Sequence, residues 1–273
     1  MYLAGQKSNL DLIKNWTSMP SFLIVQGNND TGKTYFIKYL CKKFGLGYML
    51  LDNKVDTVRN LVANAQPDSN IVYHFKDFHQ ASVNAKNALL KITEEPLKGN
   101  YIAISGLKQI DTLESRARII RMQPYSDEEL QDFINNSPID KDIANKLLKC
   151  NFRTPSTLLK YGNIEDIEKI IDFAEYTLTD ITSLNQTDIN NIALRFDRSY
   201  DKGKVDKALV FIEILCNLLE RQMLQKKYLG FRQEFERLFH AKHLLTQGTN
   251  FNRRLLLQNT FEGLLFRSSV WKI

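Results

Sequence analysis

The segment Ser21-Phe-Leu-Ile-Val-Gln-Gly27-Asn-Asn-Asp-Thr-Gly32-Lys33-Thr34 decides the fold class. Its first six residues form a short apolar run that stops at Gly27, which is typical of a buried strand. Residues 35–44, which follow the segment, have apolar side chains at 36, 37, 39, 40 and 44, the spacing of a helix. The segment therefore predicts a strand, a loop and a helix in that order.

Residues 27–34 match the phosphate-binding pattern G-x-x-x-x-G-K-[ST] at every defined position. Gly27 and Gly32 allow the backbone to turn so that successive N–H groups point at phosphate oxygens, and the following helix adds its positive end. Lys33 is expected to reach the β- and γ-phosphates, and the Thr34 hydroxyl to bind Mg²⁺. These four residues are the predicted nucleotide-binding residues; the alternative is a loop that keeps this sequence but is always empty.

Apolar runs separated by helical patterns continue through the first half of the chain. A helical pattern over residues 82–93 lies between two of the runs. Strands that alternate with helices predict an α/β fold with a parallel five-stranded sheet covered on both faces. The further predicted strands are residues 47–52, 70–77, 100–106 and 116–122.

The pattern changes at Gln123-Pro124, after which almost only helical periodicity remains. Ser126 and Glu129 have the spacing of a capping box at the start of a helix. A polar stretch at 179–186 is typical of a linker, and residues 247–250 predict a break between long amphipathic helices. Further helices are predicted at 141–150, 155–161, 164–176, 209–219 and 231–245. We predict three domains, at 1–122, 123–180 and 181–273.

Composition limits the class of protein. Hydrophobic residues make up 43% and charged residues 25% of 273 residues, and no apolar stretch of about 18 residues occurs, so a membrane span is not expected. The N-terminal residues lack the pattern of a secretory signal, which predicts a cytoplasmic protein. The three cysteines form no C-x-x-C pair, so neither a zinc module nor a disulfide framework is expected. The net charge of +6 permits contact with nucleic-acid phosphates.

The strand Ile71-Val-Tyr-His-Phe-Lys-Asp-Phe-His79 is the candidate for the acidic strand that a phosphate-loop ATPase needs. Such a strand ends in an Asp that positions Mg²⁺, and a nearby carboxylate orients the attacking water. Here Lys76 stands at the Asp position and Asp77 at the neighbouring acidic position. Because a cation repels Mg²⁺, we expect nucleotide binding without fast hydrolysis and assign no metal ligand. His74 and His79 are interpreted as packing or solvent-facing residues.

The segment Asn87-Ala-Leu-Leu-Lys-Ile-Thr-Glu-Glu-Pro96 closely resembles the N-A-L-L-K-x-x-E-E-P signature of clamp-loader AAA+ subunits. Other elements follow in the order of that family. They are Leu3-Ala-Gly5-Gln6, similar to its G-Q element; Ser115-Arg116-Ala117, similar to its S-R-C motif; Gln123-Pro124-Tyr125-Ser126, similar to the P-x-S motif before the helical lid; and Asn151-Phe-Arg153-Thr-Pro-Ser156, similar to its second-sensor element. The resemblance covers residues 1–162, and beyond them rests on helical content and a weak match at 252–265.

The resemblance implies roles for three further residues. Arg116 would be an arginine finger that reaches the ATP site of a neighbouring subunit, where its planar, permanently charged fork suits phosphate oxygens. Arg153 would contact nucleotide in its own subunit, and Ser105 is the nearest match to the first sensor. The alternative for Arg116 is a structural ion pair with Glu114 or another nearby acid.

A finger beside a damaged hydrolysis site is the pattern of delta-prime-type subunits of the DNA polymerase III clamp loader. The resemblance then implies weak binding of ATP or ADP with Mg²⁺, no zinc, and a role in loading the sliding clamp. The expected partners are the other loader subunits in a hetero-oligomeric ring, the sliding clamp, and primed DNA through the assembled ring, but no membrane. Ala117 and Asn151 depart from the family's Cys and Gly.

Two other functions remain open from the sequence. One is an active, ATP-hydrolysing subunit of the gamma/tau type in the same loader, in which Asp77 suffices for hydrolysis. The other is an unrelated phosphate-loop kinase. A kinase requires an acceptor site for which the chain shows no motif, and it leaves residues 87–96 unexplained.

Overall fold

The computed structural model describes residues 5–95, 98–179, 185–197, 206–226, 232–247 and 252–268. The chain divides into two compact units. The first comprises Met1–Ser137 with Thr154–Ser156, and the second comprises Pro138–Arg153 with Thr157–Ile273. The predicted division at 1–122, 123–180 and 181–273 stays a prediction.

A five-stranded, wholly parallel sheet organises the first unit, with strand order β2-β3-β4-β1-β5. The strands are β1 Phe22–Gln26, β2 Gly47–Leu51, β3 Ile71–Phe75, β4 Tyr101–Gly106 and β5 Arg118–Arg121. Strand β1 is buried along its whole length between β4 and β5. The predicted α/β core with a parallel five-stranded sheet is therefore confirmed.

Six α-helices accompany this sheet. They are α1 Lys7–Lys14, α2 Lys33–Phe44, α3 Val55–Asn64, α4 Val83–Glu94, α5 Asp111–Glu114 and α6 Asp127–Asn136, with a 3₁₀ turn at Phe78–Gln80. Helix α4 begins where the Ser82 side chain accepts from the Ala85 N–H. Helix α6 begins with the predicted capping box, in which both bonds between Ser126 and Glu129 are present.

Apolar side chains cover both faces of the sheet, which is why β1 is a continuous apolar run. Successive strand residues point to opposite faces, so Ile24 packs on the face of α3 and α4 while Val25 packs on the face of α1 and α2. The two edge strands, β2 and β5, depart from this pattern, and Arg118 and Arg121 of β5 are exposed. Strand β2 lies at the edge, where Met49 is 44% and Leu50 55% exposed.

The described part of the chain after α6 is helical, as expected. Its helices are α7 Lys141–Lys149, α8 Pro155–Gly162, α9 Ile167–Thr179, α10 Gln186–Asp197, α11 Lys207–Lys226, α12 Arg232–Thr246 and α13 Arg253–Ser268. An aromatic cluster holds α9, α10 and α11 together: the rings of Phe196 and Phe211 stack at 4.5 Å, and those of Phe173 and Phe211 at 5.4 Å.

Two predicted boundaries fall largely outside the described residues. Residues 180–184 of the predicted linker and 248–250 of the predicted break are not described. Among the helices of the described ranges, none has the length and apolar character needed to cross a membrane. The three cysteines, Cys41, Cys150 and Cys216, are free and buried.

Candidate functional site

The predicted phosphate-binding loop, residues 27–34, lies between β1 and α2, at the carboxyl edge of the sheet. Its first residue, Gly27, donates its N–H to the Gly106 carbonyl at 3.0 Å. A Cβ at Gly27 would lie 2.8 Å from Met122 Cβ and 2.9 Å from Thr31 Oγ1, so no side chain fits there. Gly32 adopts a φ of 83°, a conformation that glycine takes without strain.

Lys33 folds back onto the loop. Its side-chain ammonium donates to the Gly27 carbonyl at 2.9 Å and to the Asn28 carbonyl at 2.5 Å, and the residue is 8% exposed. Burial lowers the pKa of Lys33; the Asp77 and Asp30 carboxylates oppose this, and the Lys76 ammonium adds to it. Lys33 is therefore within electrostatic reach of both residues that follow β3.

The loop fits a phosphate group. The glycine-permitted turn, the ammonium of Lys33 and the N-terminus of the twelve-residue helix α2, which has no acid in its first turn, are a donor set for an anion. Thr34 is the second residue of α2, and the binding of Mg²⁺ by its hydroxyl stays a prediction. Among the described residues, no group of three or more His, Cys, Asp or Glu side chains is arranged to hold a metal ion.

Lys76 and Asp77 follow β3 directly, at the same edge of the parallel sheet as the loop. Their charged groups lie 3.9 Å apart, with the Lys76 side chain 60% and the Asp77 side chain 33% exposed. Asp77 has a φ of 53°, and the Lys76 carbonyl accepts from Asn53 Nδ2 at 2.8 Å. The only described acid immediately after this strand is thus paired with a lysine that occupies the expected magnesium-linked position.

Ser105, the predicted first sensor, is fully buried at the end of β4. Its hydroxyl lies 2.8 Å from His74 Nε2, and His74 Nδ1 lies 2.8 Å from the Tyr48 hydroxyl. Burial, with smaller effects of the positive charges of Lys76 and Lys38, lowers the pKa of His74 to about 4. His74 is therefore neutral at pH 7 and links two hydroxyl groups beneath the carboxyl edge of the sheet.

The sequence did not reveal this hydrogen-bonded chain. Its residues stand on three different strands, and they meet because β2, β3 and β4 are adjacent and in register. Of the two interpretations that the sequence left open for His74, packed or solvent-facing, the structure shows the packed one, and its partners depend on a strand order that the sequence does not contain. The sensor role of Ser105 stays a prediction.

Arg116 lies just after α5 and is 36% exposed at its side chain. Its Nη1 donates to the Thr112 carbonyl at 2.7 Å, and its Nη2 to Glu94 Oε1 at 2.8 Å. The ion-pair partner is therefore Glu94, in the signature segment, and not Glu114, which the sequence had suggested first. Glu114 instead accepts from Gln26 Nε2 at 2.5 Å and from the Gln109 N–H at 3.0 Å.

Tyr125 packs on the loop, a contact that the sequence pattern does not predict. Its hydroxyl donates to the Thr31 carbonyl at 3.2 Å, and its ring lies so close to Gly5 that a Cβ there would come within 2.6 Å of it. Gln6 Nε2 donates to the Gln123 carbonyl at 2.6 Å. The G-Q element, the loop and the P-x-S motif therefore meet in one place. Burial and the nearby Glu129 raise the pKa of Tyr125 to about 12.

The remaining predicted residues lie elsewhere. Arg153 belongs to the second compact unit, and its contact with nucleotide stays a prediction. Asn151, which stands in place of the family's Gly, has a φ of 63°, a left-handed conformation that Asn tolerates better than most residues. Pro96, the last residue of the signature, is outside the described residues.

Comparison with known proteins gives a likeness of fold. No protein-family model matches the chain, and no curated protein matches it in sequence. A DNA polymerase III gamma subunit-related protein from Thermotoga maritima matches with a TM-score of 0.53 at 15% identity, over 96% of this chain and 99% of that one. The Thermotoga maritima RuvB Holliday junction branch migration motor matches with a TM-score of 0.50 at 14% identity, over 82% of this chain and 88% of that one. The chain therefore shares its fold with these two proteins.

Proposed function

We propose that this chain is a delta-prime-type subunit of the DNA polymerase III clamp loader. In this role it binds nucleotide weakly or does not turn it over, and it donates Arg116 to the ATP site of a neighbouring subunit. The observation that carries the proposal is the lysine at the end of β3, where a hydrolysing subunit needs an acid. The likeness to a gamma subunit-related protein over nearly the whole chain supports membership of such a loader.

The charges at the end of β3 oppose a catalytic magnesium ion. Lys76 is near enough to lower the pKa of Lys33, so two ammonium groups already act on the space beside the loop. Like charges repel, so both ammonium groups disfavour a divalent cation in that space, and solvent screens the part that the exposed Lys76 contributes. Asp77 offsets part of this repulsion but is itself paired with Lys76. The loop therefore holds phosphates better than it holds the metal needed to cleave them.

Arg116 is suited to leave its present partner. Its ion pair with Glu94 is exposed on both sides, and such pairs contribute about 0–1 kcal/mol to stability. A phosphate from a neighbouring subunit offers the same donors a higher negative charge and more acceptor oxygens. In the assembled ring the guanidinium of Arg116 would leave the Glu94 carboxylate and bind the γ-phosphate of the neighbouring subunit. In that ring the chain would bind the other loader subunits, and the ring would bind the sliding clamp and primed DNA.

The test is ATP turnover by a loader reconstituted from this chain and its partner subunits. Arg116→Ala is expected to lower kcat by about 1000-fold or more, because a finger supplied in trans accelerates hydrolysis by that order or above. Arg121→Ala, which removes another exposed arginine at the end of β5, is the matched control and should leave turnover unchanged. Unchanged turnover by the Arg116→Ala loader would show that the finger assignment is wrong.

One observation favours the active motor subunit as a second candidate. Asp77 is the acid that raises the pKa of Lys33 most, so a carboxylate does act on the loop. If Asp77 suffices for hydrolysis, the purified chain should release phosphate from ATP, and Lys33→Ala should abolish the release. Under the delta-prime-type proposal the purified chain releases phosphate no faster than the Lys33→Ala variant does.

A further inference from the structure

A side-chain hydrogen bond joins the base of the phosphate-binding loop to the helix that precedes Arg116. Gln26, the last residue of β1 and the neighbour of Gly27, is 8% exposed. Its Nε2 donates to Glu114 Oε1 at 2.5 Å. Glu114 is the last residue of α5 and stands two positions before Arg116. The loop and the proposed finger are therefore connected through one amide and one carboxylate.

The carboxylate of Glu114 is fixed from a second direction. The same oxygen accepts from the Gln109 N–H at 3.0 Å, so it also holds the connection between β4 and α5. The backbone of Gln26 is held as well, because its carbonyl accepts from the N–H of Met122, just after β5, at 2.7 Å. Helix α5 has four residues and is too short to hold its place by its own hydrogen bonds. The fully buried side chain of Leu113 holds the middle of α5 in the core, and the bond from Gln26 to Glu114 holds its end.

The guanidinium of Arg116 moves with α5. Its Nη1 donates to the carbonyl of Thr112, inside α5, and its backbone N–H donates to the carbonyl of Leu113. The other contact, with Glu94, is an exposed ion pair that a phosphate can replace. When Glu94 is exchanged for a phosphate, the orientation of the guanidinium is set by α5, whose end nearest Arg116 is held by Glu114.

We propose that Gln26 and Glu114 are positioning residues that set the orientation of Arg116 toward the neighbouring subunit's nucleotide. The inference rests on the finger role proposed above and adds to it the pair that holds the finger in place. It also gives a route by which phosphate in this chain's own loop affects the neighbour's turnover, since Gln26 adjoins the first residue of the loop.

A charge-exchange cycle tests the pair in the reconstituted loader. Gln26→Glu sets two carboxylates against each other, and we expect kcat to fall by about 10-fold while KM stays within about 2-fold, within the range of coupling measured between contacting residues. The double variant Gln26→Glu with Glu114→Gln restores an amide facing a carboxylate, and the new amide oxygen can still accept from the Gln109 N–H. We expect it to recover kcat to within about 3-fold of the wild type. A thermal melt of each variant verifies that it folds.

Arg116→Ala in each background separates positioning from a general loss of structure. If the pair acts through Arg116, Gln26→Glu lowers kcat no further once Arg116 has been replaced. If Gln26→Glu lowers kcat by about 10-fold more in the Arg116→Ala background, the pair does not position the finger. The same conclusion follows if the double variant Gln26→Glu with Glu114→Gln recovers no kcat. If Arg116→Ala alone leaves turnover unchanged, the finger role itself is wrong and this inference fails with it.

Discussion

Arg116 Nη2 and Glu94 Oε1 lie 2.8 Å apart, and this ion pair joins the last residue of α4 to the residue that the family resemblance makes an arginine finger. Both side chains are substantially exposed, at 36% and 56%. Water and salt screen such a pair, so the Coulomb attraction is largely offset by solvation and by the entropy of two long side chains. The ion pair therefore orients the guanidinium of Arg116 but is weak enough for another anion to replace Glu94.

Glu94→Gln is expected to change the free energy of unfolding by less than about 1 kcal/mol, because the pair that it breaks is exposed. Urea denaturation at low and at physiological ionic strength measures this. The matched control is Asp68→Asn, which breaks another exposed pair, between Asp68 and Lys98 at 3.5 Å. A loss above about 2 kcal/mol for Glu94→Gln alone would mean that Arg116 is held as a structural residue, against the finger role.

Lys76→Asp is expected to increase the magnesium dependence of nucleotide binding, because it replaces a cation at the end of β3 by a carboxylate beside Asp77. Titration of the purified chain with a fluorescent ATP analogue, with magnesium and with excess chelator, measures the effect. We expect Kd in magnesium to fall by about 10-fold or more, as two units of charge change near the metal position. Lys76→Ala, which removes the cation without adding a carboxylate, should lower Kd in magnesium by a smaller factor. Equal affinities with and without magnesium in the Lys76→Asp variant would contradict the electrostatic argument.

His74 is expected to make the protein sensitive to mild acid. Its pKa is about 4 in the folded protein against the usual 6.5, so the unfolded chain takes up the proton first as the pH falls. Neutral His74 makes its full contribution to the free energy of unfolding above about pH 6.5. This contribution is lost as the pH falls toward 4, and about 2 kcal/mol of it is lost by pH 5. The free energy of unfolding of the wild type and of His74→Gln, measured from pH 7.5 to 5, gives the test. Between pH 7.5 and 5, the free energy of unfolding of the wild type should fall by about 2 kcal/mol more than that of the variant. Equal decreases in the two proteins would contradict the prediction.

The sequence predicted the elements whose causes are local. Strand β1 was found because both of its faces are buried and its residues are therefore continuously apolar. The capping box of Ser126 and Glu129 was found because both of its bonds lie within one helical turn. Glycines at 27 and 32 marked the loop because they are needed for a close approach and for a positive φ.

Relationships that depend on strand order or on helix placement were not predicted. Leu50 is exposed because β2 is an edge strand, which an apolar run does not disclose. Ser105 meets His74 only because β3 and β4 are neighbours in register. Arg116 pairs with Glu94 and not with the adjacent Glu114, because the end of α4 lies beside α5 while Glu114 is held by Gln26.

Alanine substitutions at Gly32 and Gly45 distinguish the energetic effect of the contact between the loop and Tyr125 from the effect of backbone strain. Gly32 and Gly45 both have a positive φ, of 83° and 66°. A Cβ at Gly45 would meet nothing within 4 Å, whereas a Cβ at Gly32 would lie 2.9 Å from the Tyr125 hydroxyl. We expect Gly45→Ala to cost about 1–2 kcal/mol for the left-handed conformation alone, and Gly32→Ala to cost more.

The excess cost at Gly32 is assigned to Tyr125 by a second pair of variants. Tyr125→Phe removes the hydroxyl that the new methyl group would meet, at the expense of one hydrogen bond to the Thr31 carbonyl. Gly32→Ala should therefore cost about as much as Gly45→Ala when it is made in the Tyr125→Phe background, with each free energy of unfolding taken from urea denaturation. If Gly32→Ala and Gly45→Ala lower the free energy of unfolding equally in the wild-type background, the Tyr125 side chain does not restrict the space at Gly32. The contact between the P-x-S motif and the loop would then have no effect on stability.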